Sequence, residues 1–315
     1  MRPSISVLIT YYNERQLLTE CLQSIAQQTD PPDEILVYDD CSTYPASDYV
    51  PKDLPATVLR AEENRGPSHG RNALLKASKS DCVHFHDSDD LFEATWCERV
   101  RAVLVNSAVD WAMTDVSSYR DGSLVSDNVL GLKRGAGDDL LRMCIGGVAL
   151  VPSGTYRRAN VMAIGGYRTD LWQSEDYDFH IRLALSGARC EIIADPLVSI
   201  RLRAESRSRD ELECRRCMVR AVHDVAGKVP EAYRRDLTER AADVGCSLLR
   251  DGARADALEA FRIANSIGKP SFRNQRKMFR WLARFGGPEF AERVASMYRM
   301  SLPEQWRRKA VKAGL

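Results

Sequence analysis

The first 90 residues alternate short β-branched runs with amphipathic stretches, and the apolar runs stop at polar clusters. Residues 5–10 (ISVLIT), 34–38 (EILVY), 57–60 (TVLR) and 81–86 (DCVHFH) have the length and branching of strands. Residues 14–28 place Leu17, Leu18, Cys21, Leu22 and Ile25 on one helical stripe, and residues 71–77 read as a second helix. Strands alternating with helices at this pace need crossover connections, which give a mainly parallel sheet with helices on its faces. Ligands of such sheets gather beyond the carboxyl ends of the strands. The clusters at 10–14, 39–43 and 87–90 are therefore expected to meet in space.

Further along, strand-like runs at 110–116, 146–152 and 190–195 mix with glycine-rich turns. From about residue 210 the apolar residues recur at helical spacing. Residues 245–252 and 257–264 read as a helical hairpin of tetratricopeptide-like pattern, one copy where an array would need at least three. The expected division is 1–208 for an α/β domain and 209–315 for an all-α domain. A chain of 315 residues with 44% apolar and 28% charged side chains is not disordered, collagenous or a disulfide scaffold. Its net charge of +1 hides a split: residues 1–200 hold 19 basic and 29 acidic side chains, residues 201–315 hold 26 and 15. Nine irregularly spaced cysteines suit reduced thiols and a cytoplasmic protein. Cys214 and Cys217 form a single CxxC without a second pair, which reads as two helix positions one turn apart. No signal-type h-region and no apolar run of spanning length is present.

Carboxylates at a strand end are the strongest chemical signal. Asp87, Asp89 and Asp90 put three acids into four residues, a repulsive arrangement that suits Mg²⁺ or Mn²⁺ completed by substrate phosphates. The alternative is a solvated turn with an aspartate helix cap. Glu175, Asp176 and Asp178 precede an amphipathic run. They either complement a helix dipole or include a general base for a hydroxyl nucleophile. No GxGxxG follows the first strand, and no GxxxxGK[ST] or GxSxG occurs. His84 and His86 share a strand face and read as buried or cleft-lining residues.

In this order the segments 4–14 (SISVLITYYNE), 34–43 (EILVYDDCST), 64–72 (NRGPSHGRN), 83–90 (VHFHDSDD), 154–168 (GTYRRANVMAIGGYR) and 174–187 (SEDYDFHIRLALSG) resemble the family 2 inverting glycosyltransferases of GT-A fold. The resemblance covers about residues 1–205. It implies a Rossmann-like, mainly parallel sheet binding a nucleotide-diphosphate sugar, a UDP-sugar in the first instance. Tyr12 would stack on the nucleobase and Asp40 would bond its edge. Thr10, Glu14 and Arg71 would add nucleotide contacts. Asp89 would be the direct metal ligand, with Asp87 facing ribose or metal, and Mn²⁺ or Mg²⁺ the cofactor. Asp176 would be the catalytic base, with Glu175 the second choice. The product would belong to surface polysaccharide or glycoconjugate synthesis, on a glycan or lipid-linked glycan acceptor.

One departure stands out. Members often carry a histidine after the last strand, as Arg-x-His-x-x-Ser, and that histidine can complete the metal shell. Here the segment reads Arg201-Leu-Arg203-Ala-Glu-Ser206, and a charged arginine cannot ligate a metal. Arg203 could pair with diphosphate oxygens instead. Residues 271–315 hold 11 basic and 3 acidic residues, with Phe279, Trp281, Leu282 and Phe285 among them. That mixture suits either a core-packing aromatic face or peripheral contact with the inner face of a membrane. No nucleic-acid partner is expected, since no binding motif accompanies the charge. A homo-oligomer is compatible with the sequence. The rival from another class is a non-catalytic binding or scaffold protein acting through its helical domain.

Overall fold

The computed structural model describes residues 2–133, 135–136, 139–203 and 210–301, the side chains of 135–136 and 299–301 excepted. The chain separates into two compact units, residues 1–209 and 210–315. The first contains strands β1 (Ile5–Tyr11), β2 (Glu34–Asp39), β3 (Ala56–Arg60), β4 (Cys82–Asp87), β5 (Leu91–Phe92), β6 (Trp111–Arg120), β7 (Ser123–Ser126), β8 (Gly135–Ala136), β9 (Gly154–Arg157) and β10 (Cys190–Arg201). They form one sheet in the order β3-β2-β1-β4-β9-β6-β10-β5, with β7 beside β6 and β8 beside β10. The β3-β2-β1-β4 half is parallel, β9 runs antiparallel between β4 and β6, and β6 is parallel to β10. β1 lies centrally and is almost wholly buried, as expected of a strand covered on both faces.

Helices α1 (Gln16–Ala26), α2 (Pro67–Ala77), α3 (Trp96–Leu104), α4 (Leu140–Gly146), α5 (Arg158–Ala163) and α6 (Glu175–Leu185) accompany the sheet. α1 buries Leu18, Cys21, Leu22 and Ile25, the anticipated stripe, but starts two residues later than its pattern suggests. Asn13 and Arg15 sit at φ 59° and 47°, a left-handed turn that no helix can include. α2 starts four residues earlier than expected, because Pro67 occupies the first turn, where its missing N–H has no role. The run 146–152 is not a strand. It ends in a short 3₁₀ turn at Val151–Ser153, and the strand is the adjoining β9.

The second unit is helical among its described residues: α7 (Glu211–Val225), α8 (Glu231–Arg250), α9 (Arg254–Ile267) and α10 (Lys277–Ser301). α8 and α9 form the anticipated hairpin, with the Phe261 ring packed so closely on Gly245 that a Cβ there would lie 2.7 Å from it. The expected boundary at 208/209 falls in 204–209, outside the described residues, as does Ser206.

Candidate active site

The parallel ladders set the three polar clusters side by side. Tyr11 pairs with Asp39 across β1 and β2, and Thr10 pairs with Asp87 across β1 and β4. Asp39 is fully buried and accepts from the Ser42 and Ala46 amides and from Arg60. Its neighbour Asp40 accepts the backbone N–H of Arg65 at 2.9 Å on one oxygen and that of Gly66 at 2.8 Å on the other. It thus fixes the loop that leads into α2, and each oxygen retains a lone pair. Tyr12 follows β1 and is half exposed, while Thr10 Oγ1 lies 3.4 Å from Asp87 Oδ1.

Arg71, expected as a nucleotide contact, is enclosed between two carboxylates. Its guanidinium is only 3% exposed, with Nη1 donating to Glu175 Oε1 at 2.6 Å and Nη2 to Asp87 Oδ1 at 2.9 Å. The ring of Tyr167 lies 5.1 Å from it. A cation this enclosed, with both terminal nitrogens on carboxylates, ties the start of α6 to the end of β4. The next residue, Asn72, exchanges two hydrogen bonds with the backbone of Tyr167, at 2.7 and 2.8 Å. Gly166, at φ 69°, admits that contact because a Cβ would sit 2.3 Å from Asn72 Oδ1. Asp178, the last acid of its cluster, is buried against Arg182 at 2.7 Å and is structural.

Asp87, Asp89, Asp90, Asp176, Arg120 and Arg203 are among the residues lining an open cleft of about 330 Å³. Their protonation states are driven apart. Burial pushes the Asp87 carboxyl up, but the charge and hydrogen bond of Arg71 outweigh it, and the net shift is downward. Burial and then the Asp87 charge raise Asp89, against the opposition of Arg203. Asp90 is buried beside both and lies well above the ordinary carboxylate range. Asp176 is raised to about 7, by burial first and by Glu175 second, with Arg71 opposing. Its Oδ1 accepts the Tyr177 amide at 2.8 Å, and it forms no ion pair among the described residues. Glu175 is held by Arg71 and is nearly buried, so of the two neighbours Asp176 is the one that reaches the cleft.

Arg203 binds two acids at once. Its Nη1 lies 2.8 Å from Glu14 Oε2, and Nη2 and Nε lie 2.7 and 3.0 Å from Asp89 Oδ2. Glu14, expected to face nucleotide, faces this guanidinium. Among the described residues no three His, Cys, Asp or Glu side chains cluster as a metal would require. Asp87 and Asp89 nonetheless offer the one or two hard carboxylates that magnesium takes alongside substrate phosphates. The residues thus fit a site completed by substrate, not one closed by protein. His84 and His86 are fully buried, bonded to each other at 3.3 Å and packed on Phe92 and Trp96, away from any metal role. Sequence reasoning missed the Asp39–Arg60 and Asn72–Tyr167 links. Asn72 sits inside one of the six quoted segments, which was the available signal.

Residues 6–135 match the family described as Glycosyl transferase family 2. YwdF of Bacillus subtilis (strain 168), an uncharacterized glycosyltransferase, is 30% identical over 183 residues, covering 57% of this chain and 68% of YwdF. The chain belongs to this family. An uncharacterized glycosyltransferase of Haemophilus influenzae is 29% identical over 183 residues, 57% of this chain and 61% of that protein, so the chain spans less than two thirds of that relative. Among solved structures, S. aureus TarS 1–349 superposes with a TM-score of 0.70 at 20% identity, covering 96% of this chain and 93% of that one. The mannosyltransferase PcManGT of Pyrobaculum calidifontis, solved with GDP-Man and Mn²⁺, gives 0.62 at 20% identity, covering 99% and 84%. The family 2 chain thus has the GT-A fold in its first unit and a separate helical region after it.

Proposed function

We propose that this chain is an inverting glycosyltransferase that moves sugar from a nucleotide-diphosphate sugar to a hydroxyl of a glycan or lipid-linked glycan, in surface polysaccharide or glycoconjugate synthesis. The observation that carries the reading is Asp176, a carboxyl raised to about 7 that lines the same cleft as Asp87 and Asp89. A base poised near neutral pH is matched to a hydroxyl nucleophile. UDP is the first donor to test, because TarS has been solved with UDP and with UDP-GlcNAc. Surface polymers are supported as products by the similarity to the putative teichuronic acid glycosyltransferase TuaG, 28% identical over 155 residues. Nine cysteines at irregular spacing suit a reducing compartment, and thus action at the cytoplasmic side.

In this mechanism Tyr12 stacks on the base and Asp40 shapes the loop beside it. Asp176 takes the acceptor proton while the acceptor oxygen forms its bond to the anomeric carbon. The bond to the diphosphate breaks on the opposite face, which inverts the centre and needs no covalent enzyme intermediate. Mn²⁺ or Mg²⁺ held by Asp89 and Asp87 would neutralise charge on the departing diphosphate. Arg203 supplies fixed positive charge beside Asp89, where a donor diphosphate would need it. The test is release of nucleoside diphosphate from UDP- and GDP-sugars with MnCl₂ and candidate acceptors, with the product anomer read by NMR. Asp176→Asn should abolish transfer and keep donor binding. Absence of turnover in the wild type with every donor would favour the scaffold reading.

A further inference from the structure

The first segment of α10, residues 277–286, has an unusual distribution of apolar side chains. Phe279 and Ala283 turn inward, where Phe279 meets Phe272 edge-on at 5.9 Å. Met278, Trp281 and Phe285 turn outward, at 50%, 62% and 72% exposure. With about 100° per residue, those three fall within an arc of about 60°. The ring centroids of Trp281 and Phe285 lie 5.2 Å apart, so the stripe is continuous. Lys277, Arg280 and Arg284 follow the same helix along one flank of it, and none forms an ion pair among the described residues. The expectation of a core-packing aromatic face therefore holds for Phe279 but not for Trp281 or Phe285.

The helix breaks at Gly287, at φ 79° and ψ 168°, and Pro288 opens the next segment. Beyond the break Phe290 is also half exposed. Beside the stripe lies an open hollow of about 1040 Å³ whose lining includes Lys269, Arg280, Arg284 and Arg293, with Trp281 and Phe290. A soluble surface rarely leaves this much contiguous apolar area open, and apolar patches rimmed by polar groups mark interaction sites. The flank selects the partner. Cations that form no ion pair among the described residues, next to large aromatics, complement a surface with anionic groups above an apolar layer.

We propose that the Met278–Trp281–Phe285 face docks onto an anionic phospholipid bilayer, the aromatics entering the headgroup boundary and Lys277, Arg280 and Arg284 meeting lipid phosphates. No helix among the described residues is long and apolar enough to cross a membrane, so the contact is peripheral. Sedimentation of the full chain with vesicles of phosphatidylcholine alone, or with 30% phosphatidylglycerol, tests it. No donor is needed, so the outcome is independent of the sugar-transfer reading. Binding should be confined to anionic vesicles and should weaken with salt. Trp281→Ala/Phe285→Ala and, separately, Arg280→Gln/Arg284→Gln should each lower the partition coefficient about tenfold or more. Unchanged melting of these variants would show that they fold. Three outcomes would overturn the proposal: no binding to either vesicle, equal binding of wild type and aromatic variant, or a wild-type dimer that the aromatic variant dissociates. Capture by soluble dextran sulfate with no vesicle binding would overturn it in favour of an anionic polymer.

Discussion

Replacing Asp176 by Asn should move stability and turnover in opposite directions. The native carboxyl is raised from 3.8 to about 7, with burial the larger cause and the Glu175 charge the second. At about 1.36 kcal/mol per unit, the shift corresponds to about 4 kcal/mol. The folded state keeps this proton to higher pH than the unfolded chain does. The associated stability is therefore complete below about pH 4 and is lost as pH rises through about 7. Asparagine never ionises. The variant should match the wild type at pH 4 and melt higher at pH 8, by about 5 °C or more for a unit of this size. Removal of a general base should meanwhile lower kcat by about 10²–10⁴-fold. In the wild type the same carboxyl should give an acidic limb, with kcat about tenfold lower at pH 6 than at pH 8. Thermal melts from pH 4 to 9 and donor turnover read both effects. A variant melting below the wild type at pH 8, or a wild-type rate flat from pH 6 to 8, would refute the assignment of a desolvated base.

Arg71→Met leaves Asp87 and Glu175 without their shared cation. Breaking a buried pair in this way should cost about 3–5 kcal/mol, measured by urea denaturation. Any active fraction should show its acidic limb displaced to higher pH, because Arg71 holds Asp176 down. Tyr12→Ala should weaken nucleotide binding by about tenfold in calorimetry with little change in melting, since the ring is half exposed and stacking is worth about 1–3 kcal/mol. Gly166→Ala should destabilise by about 1–3 kcal/mol in the same urea assay, because the new Cβ meets Asn72 and φ is positive.

The parallel half of the sheet was legible because each of its strands is a short apolar run and the crossovers after β1 and β3 carry the helices α1 and α2. β9 was not. Its residues, Gly154–Arg157, contain one apolar side chain, and the strand exists because β4 and β6 flank it. The start of α1 was misread for a related reason. Amphipathic spacing continues through Glu14, but the backbone turns left-handed at Asn13 and Arg15 to carry the loop over the strand end. The acids of the cleft could be found from clustering alone. Their partners could not, because Arg71 and Glu175 are 104 residues apart and meet only through the fold.

That pairing explains how so many carboxylates can gather in and around one cleft and still leave one, the proposed base, that titrates near neutrality. Asp87 and Glu175 share Arg71, while Glu14 and Asp89 share Arg203. Asp90 is buried and pushed toward its neutral form, its Oδ1 taken by the Arg201 amide. Asp176 alone among these six acids has neither a guanidinium partner nor complete enclosure, so its proton responds to pH near neutrality. Environments that drive carboxyl groups apart in this way mark which of them can exchange a proton during reaction. The arginine at 203 belongs to the same arrangement. By neutralising Glu14 and Asp89 from within the protein, it performs part of the charge compensation that a histidine-completed metal shell would supply. Arg203→His should therefore make nucleotide-sugar binding more dependent on Mn²⁺ than in the wild type. Calorimetric titrations with and without the ion measure this, and equal metal dependence in both proteins would count against an electrostatic role for the arginine.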